Sequence, residues 1–148
     1  MCGITGIFAP GGHGHIDPGA LAAMSAALAL RGPDDHAIHL EKGLGFGFRR
    51  LAIMDLSAEA NQPFFSEDGS IALICNGEIF NYRELRQGLL ARGHRFRSAC
   101  DVEVLVHLYE EQGCGFLAGL NGQFALALYD RRQDRLLLAR DHVGIAPL

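Results

Sequence analysis

Cys2-Gly3-Ile4-Thr5-Gly6-Ile7-Phe8 is the stretch that decides how this chain is read. Ile4 to Phe8 is a short apolar run between Gly3 and Pro10, the pattern of a buried strand. A thiol therefore stands at the head of a strand, at the second position of the chain. A residue as small as Cys there normally leaves the initiator Met exposed to removal. The mature chain would then begin with a thiol and a free α-amino group on one carbon skeleton. Their ordinary pKa values are about 8.5 and about 7.7 to 8.0, so the amine can serve as base for its own side chain. A strand also holds the sulfur in a fixed place, as a nucleophile requires.

Outward from that strand, Asp17-Pro18 starts a helix, with Asp as cap and Pro in the first turn. Leu21, Met24 and Leu28 share one face of what reads as a core helix, which Arg31-Gly32-Pro33-Asp34 ends. Residues 36–40, 44–48 and 51–56 read as strands, the first two joined by a turn at Glu41-Lys42-Gly43. A polar loop over 57–70 contains Phe64-Phe65, and a further strand covers 71–75. Asn81 with Glu84 has the spacing of a capping box for a helix that stops at Gly93. Val102, Leu105, Val106 and Tyr109 mark another helix after Asp101, and strands at 124–129 and 136–139 flank a polar turn. Hairpins and helices mix without strict alternation, so the class is α+β.

The composition agrees with one globular domain over residues 1–148: 49% hydrophobic and 20% charged. A formal net charge of −4 argues against nucleic acid or an anionic membrane as the main partner. The apolar run 20–30 is too short to span a bilayer. Cys2, Cys75, Cys100 and Cys114 form no Cys-x-x-Cys pair and read as reduced thiols of a cytoplasmic protein. His13-Gly14-His15 lacks a third ligand at a plausible spacing, so no metal is expected. Gly11-Gly12 opens no phosphate-loop pattern and there is no Walker Lys, which argues against nucleotide binding. Asn76-Gly77 follows a strand, where a side-chain amide and a backbone N–H can point the same way, as an oxyanion hole needs. Arg49 and Arg50 lie next to each other on a strand, so only one of them can face a pocket.

The chain resembles the class II glutamine amidotransferases, and among them the glutaminase domain of glutamine-hydrolysing asparagine synthetases. The matching motifs run in order along nearly the whole chain. They are Met1-Cys2-Gly3-Ile4-Thr5-Gly6, Arg31-Gly32-Pro33-Asp34, Arg50-Leu51-Ala52-Ile53-Met54-Asp55-Leu56 and Asn76-Gly77-Glu78-Ile79-Phe80-Asn81. Asp101-Val102-Glu103, Leu120-Asn121-Gly122-Gln123-Phe124-Ala125 and Arg140-Asp141-His142-Val143-Gly144-Ile145 complete the series. The resemblance implies a four-layer αββα sandwich of the N-terminal-nucleophile hydrolases, incomplete at its C-terminal end.

It also implies the chemistry. Cys2 attacks the γ-carboxamide of L-glutamine, Asn76 and Gly77 hold the oxyanion, and Arg50, Glu78 and Asp101 bind the amino-acid end. Arg31 reads as helix-end structure that shapes the pocket. Ammonia would pass to an activated aspartate on a C-terminal synthetase domain of the same polypeptide, absent here. ATP and Mg are expected only on that domain and no cofactor on this one, and the family also allows a homodimer. Two departures are Cys100, where Ser is usual, and Ala146, where Lys is common. A glutaminase feeding another acceptor, or a glutamine-binding module without turnover, are the alternatives.

Overall fold

The computed structural model describes residues 2–12 and 14–148. The expectations on Met1 removal and on His13 as a metal ligand lie outside the described residues. Seven strands form two antiparallel sheets. Strands β1 (Gly3–Phe8), β2 (Asp35–Glu41) and β3 (Leu44–Arg50) make the first, in the order β1-β3-β2. Strands β4 (Phe64–Phe65), β5 (Ile71–Ile79), β6 (Gly122–Asp130) and β7 (Arg135–Arg140) make the second, in sequence order.

Alternation along the strands sets the layers. Leu44, Phe46 and Phe48 of β3 pack on Ala72 and Ile74 of β5 and on Ala127 and Tyr129 of β6, forming the inter-sheet core. The intervening Gly45 and Gly47 turn outward toward α1 (Pro18–Ala27). A Cβ on Gly45 would lie 2.8 Å from Leu21 Cδ2, so the absent side chains let this helix lie close on the sheet. On the far side, Ile71, Leu73, Cys75 and Ile79 of β5 pack with Phe124, Leu126 and Leu128 of β6. They cover α2 (Tyr82–Ala91) and α3 (Val104–Gln112), the latter entered through a 3-10 turn at Asp101–Glu103. Helix, sheet, sheet, helix: the fold is the α+β four-layer sandwich.

Several local expectations change. The first helix is not a core helix: Leu21 and Ser25 are buried, but Met24 is 40% exposed and Leu30 fully so. One face on one sheet is all that an outer layer requires. Residues 51–56 form an irregular loop rather than a strand, because the Arg50 guanidinium draws the chain back on itself. Strand β5 runs on through Asn76 and Gly77 to Ile79, so these two lie within a strand instead of following one. Phe64-Phe65 forms a short edge strand on β5. Asn81 starts α2 but makes no capping bond; its amide donates to Gly119 O and accepts from Asn121 N instead. No helix among the described residues is long and apolar enough to cross a membrane.

Candidate active site

The parity that builds the inter-sheet core also aims three polar side chains into its end. Arg50 continues the inward series of Phe46 and Phe48, whereas Arg49 turns outward and donates from Nε to Ser25 O and Oγ on α1. Asn76 continues the series of Ala72 and Ile74. Cys2 precedes β1 and packs against the inter-sheet core. Cys2, Arg50, Asn76, Gly77, Glu78 and Asp101 all line one polar cleft. Every site residue expected from the sequence is thus brought together.

The Cys2 sulfur is held by one backbone residue. Leu51 N–H donates to Sγ at 3.4 Å, and the thiol donates to Leu51 O at 3.6 Å. Burial pushes the Cys2 thiol up from its ordinary value, and the Leu51 N–H works in the opposite direction. A base at hand is therefore needed to ionise it. Cys100 lines the same cleft, but burial and the neighbouring Asp101 push it up to about 12. Burial likewise raises Cys75 well above the ordinary thiol value. Neither competes as a thiolate at neutral pH. Arg31 sits beside the nucleophile and donates from Nε to Cys2 O at 3.2 Å, a contact beyond its expected helix-end role.

The outer edge of β5 sets the surroundings of Asn76 and Gly77, the pair expected to hold an oxyanion. Odd-numbered residues of β5 turn their N–H and C=O to that edge and even-numbered ones to β6. Ile71 exchanges bonds with Ser66, Leu73 pairs with Phe64, and Cys75 is taken by the Gln62 side chain. Ile79 N–H donates to Asp101 Oδ2 at 2.7 Å. Gly77 lies between these last two with no partner on that edge among the described residues. Its β6 neighbour Phe124 gives it none either, since both Phe124 backbone groups bond Asp141. A Cβ at Gly77 would lie 2.1 Å from Gln123 O, so no other residue fits this strand position. The Asn76 side chain is also without a hydrogen bond among the described residues, although Asn76 is only 2% exposed. Two adjacent amide groups, the Asn76 side chain and the Gly77 backbone, thus line the cleft that Cys2 also lines.

The residues expected to bind the amino-acid end are less free than the sequence suggested. Arg50 donates from Nη1 to Ser57 O and Asn61 Oδ1, and from Nη2 to Asp55 O. Three of its five N–H groups thereby hold the 51–61 loop, leaving Nε–H and one Nη2–H for a carboxylate. Asp101 is not a simple helix cap. Its Oδ2 accepts from Ile79 N, its Oδ1 meets the Cys100 thiol at 3.7 Å, and burial raises its pKa in spite of these bonds and of the nearby backbone N–H groups of Asp101 and Val102. Glu78 lies opposite Gln123 on the cleft wall.

Sequence reasoning gave no role to Gln62, Leu51 and Asn61, whose contacts with Cys75, the Cys2 sulfur and Arg50 only the fold brings about. It also missed a cluster of Glu67, His94 and His107 on the helix side, drawn from three separate segments. His107 Nδ1 lies 3.0 Å from Glu110 Oε2, His94 Nε2 lies 3.1 Å from Glu111 Oε1, and Glu67 accepts from Arg95 N.

On the other side of Cys2 and Asn76 lies a second cavity of ≈ 440 Å³. Its walls are apolar, chiefly Ile4, Phe46, Ile74, Leu136 and Leu138, and it opens between the edge strands β1 and β7.

The glutamine amidotransferase domain family matches over residues 1–148. The chain is 45% identical over 154 residues to asparagine synthetase [glutamine-hydrolyzing] 2 of Bacillus subtilis (strain 168), covering 100% of this chain and 20% of that protein. It is 38% identical over 148 residues to asparagine synthetase [glutamine-hydrolyzing] 3 of Arabidopsis thaliana, covering 100% of this chain and 25% of that protein. A solved structure, glutamine phosphoribosylpyrophosphate amidotransferase from B. subtilis complexed with ADP and GMP, superposes with a TM-score of 0.55 at 27% identity. That match covers 69% of this chain and 24% of the other. The chain therefore spans about a fifth to a quarter of the length of the curated relatives it matches.

Proposed function

We propose, from the premise that this chain belongs to the glutamine amidotransferase domain family, that it hydrolyses L-glutamine to glutamate and ammonia. The observation that carries this reading is the pair of unspent donors, Gly77 N–H and the Asn76 amide, in the same cleft as the Cys2 sulfur. With Met1 removed, the Cys2 α-amine takes the thiol proton and Sγ attacks the γ-carboxamide carbon. The tetrahedral oxyanion is held by Asn76 and Gly77, donors that contribute roughly 3 to 4 kcal/mol each at such positions. The amine returns the proton to the leaving nitrogen, and water then hydrolyses the γ-glutamyl thioester. The free edge of Arg50 binds the α-carboxylate. Asp101, with Glu78, binds the ammonium, which replaces the solvation that burial denies the Asp101 carboxylate.

Ammonia leaves into the apolar cavity behind Cys2, where walls of Ile, Leu and Phe favour the neutral molecule over ammonium. The similarity to asparagine synthetases supports an ATP-activated aspartate as its acceptor, on a synthetase domain of the same polypeptide that would hold ATP and Mg. The similarity to the phosphoribosylpyrophosphate amidotransferase keeps a different acceptor as a second reading. Glutamate release from glutamine, measured for the wild type and for Cys2→Ala, tests the glutaminase itself. Turnover in the wild type and none in the variant, with glutamine still bound, supports it. A folded wild type that binds glutamine without turnover would instead leave a binding module.

A further inference from the structure

We infer that Gln62 is a positioning residue for amide hydrolysis, its carboxamide standing in for a missing strand at the edge of β5. The inference rests on the glutaminase reading and adds to it the element that holds the oxyanion donor in place. Strand β4 ends its pairing at Phe64, opposite Leu73. In this register the next position that would bond the edge of β5 is Gln62, opposite Cys75. The Gln62 side chain continues the pairing instead: Oε1 accepts from Cys75 N at 2.6 Å and Nε2 donates to Cys75 O at 3.0 Å. A carboxamide offers one donor and one acceptor in a plane, the same pair that a neighbouring strand would present. Gln62 is 5% exposed, so the two bonds are made away from water, where an unmade one is most costly.

The consequence falls on Gly77. The edge of β5 is closed at Cys75 by Gln62 and at Ile79 by Asp101, and Gly77 is the position left open between them. A true strand in place of Gln62 would run on and pair with Gly77, using up its N–H. A side chain stops after one residue. The substitution of a side chain for a strand therefore fixes the peptide plane up to Cys75 while sparing the donor two residues on. The segment 61–63 also reaches the other half of the site, because Asn61 Oδ1 accepts from Arg50 Nη1 at 2.7 Å. Its backbone is held in turn by Arg97, whose Nη2 donates to Asn61 O at 2.6 Å and to Pro63 O at 2.9 Å.

Steady-state glutaminase kinetics on the full chain separate positioning from general packing. Gln62→Met keeps the length and volume of the side chain and removes both bonds. Its kcat falls at least about tenfold while KM stays within about twofold, because Arg50, Glu78 and Asp101 still hold the substrate. Gln62→Glu, which keeps the acceptor for Cys75 N, recovers part of the lost kcat. Equal kcat in wild type and Gln62→Met, or a loss confined to KM, overturns the inference. If Gln62→Met does not fold, as judged by circular dichroism, Gln62→Glu decides alone: wild-type kcat in that folded variant overturns it and a selective loss of kcat supports it. A wild type without glutaminase activity would sink the underlying reading instead, and the two failures are distinct.

Discussion

Asp101 and Asp141 are both buried carboxylates, 4% and 5% exposed, and both bond to backbone N–H groups of the second sheet's two central strands. The likeness ends there. Asp141 accepts from Phe124, Val143, Ile145 and Ala146, four backbone donors that tie the C-terminal turn to β6. Those bonds hold its pKa down at about 2. Asp101 accepts from Ile79 N on Oδ2 and meets the Cys100 thiol on Oδ1, and there burial outweighs the hydrogen bonds and drives its pKa up. A saturated carboxylate is a staple. The Asp101 carboxylate, at the wall of the cleft, is the costlier of the two to ionise.

The contrast can be widened or broken by experiment. The largest effect after loss of Cys2 is expected at the donors that only the transition state uses. Asn76→Ala should lower kcat about a hundredfold or more with KM nearly unchanged, since the oxyanion exists only transiently. A change in KM alone would remove Asn76 from that role. Next comes Asp101→Asn, which should raise KM for glutamine about tenfold or more, the usual strength of a charge-assisted bond.

The two aspartates should part company in stability. Because the folded state raises the Asp101 pKa, the cost to stability grows as pH rises from the ordinary carboxylate value of 3.8 and is complete above the raised one. At neutral pH Asp101→Asn should therefore melt no lower than wild type. A clear drop would make Asp101 a second staple. Asp141→Asn should leave KM alone and lower the melting temperature at neutral pH. Its folded pKa is depressed, so the contribution is fully present above the ordinary carboxylate value of 3.8 and fades as pH falls toward about 2. Melting curves of wild type and Asp141→Asn should converge over that interval. Curves that stay parallel would contradict the backbone-bond account.

Much of the fold was legible because it is written in short-range patterns. The apolar run after Cys2, the Asp17-Pro18 helix start and the spacing of Val102, Leu105, Val106 and Tyr109 each depend on a few adjacent residues. The expectations that failed were those whose outcome depends on a distant partner. Residues 51–56 have strand-forming side chains, but the Arg50 guanidinium bonds to the carbonyls of Asp55 and Ser57 and folds the segment into a loop. Asn81 and Glu84 have the capping-box spacing, but the Asn81 amide is taken by Gly119 and Asn121, about forty residues on.

The sequence by itself determined the thiol at the head of a strand, the four layers implied by its family likeness, and the identity of the residues in the cleft. Tertiary structure alone decided which of their hydrogen-bonding groups are spent and which remain. Nothing in the local sequence states that Cys75 is answered by Gln62, Ile79 by Asp101 and Phe124 by Asp141. The Gly77 N–H, unpaired among the described residues, is what these three long-range pairings leave over. The physical reason is that side-chain parity is a local property of a strand. The partner of each backbone group is set by whichever segment folding brings to that edge.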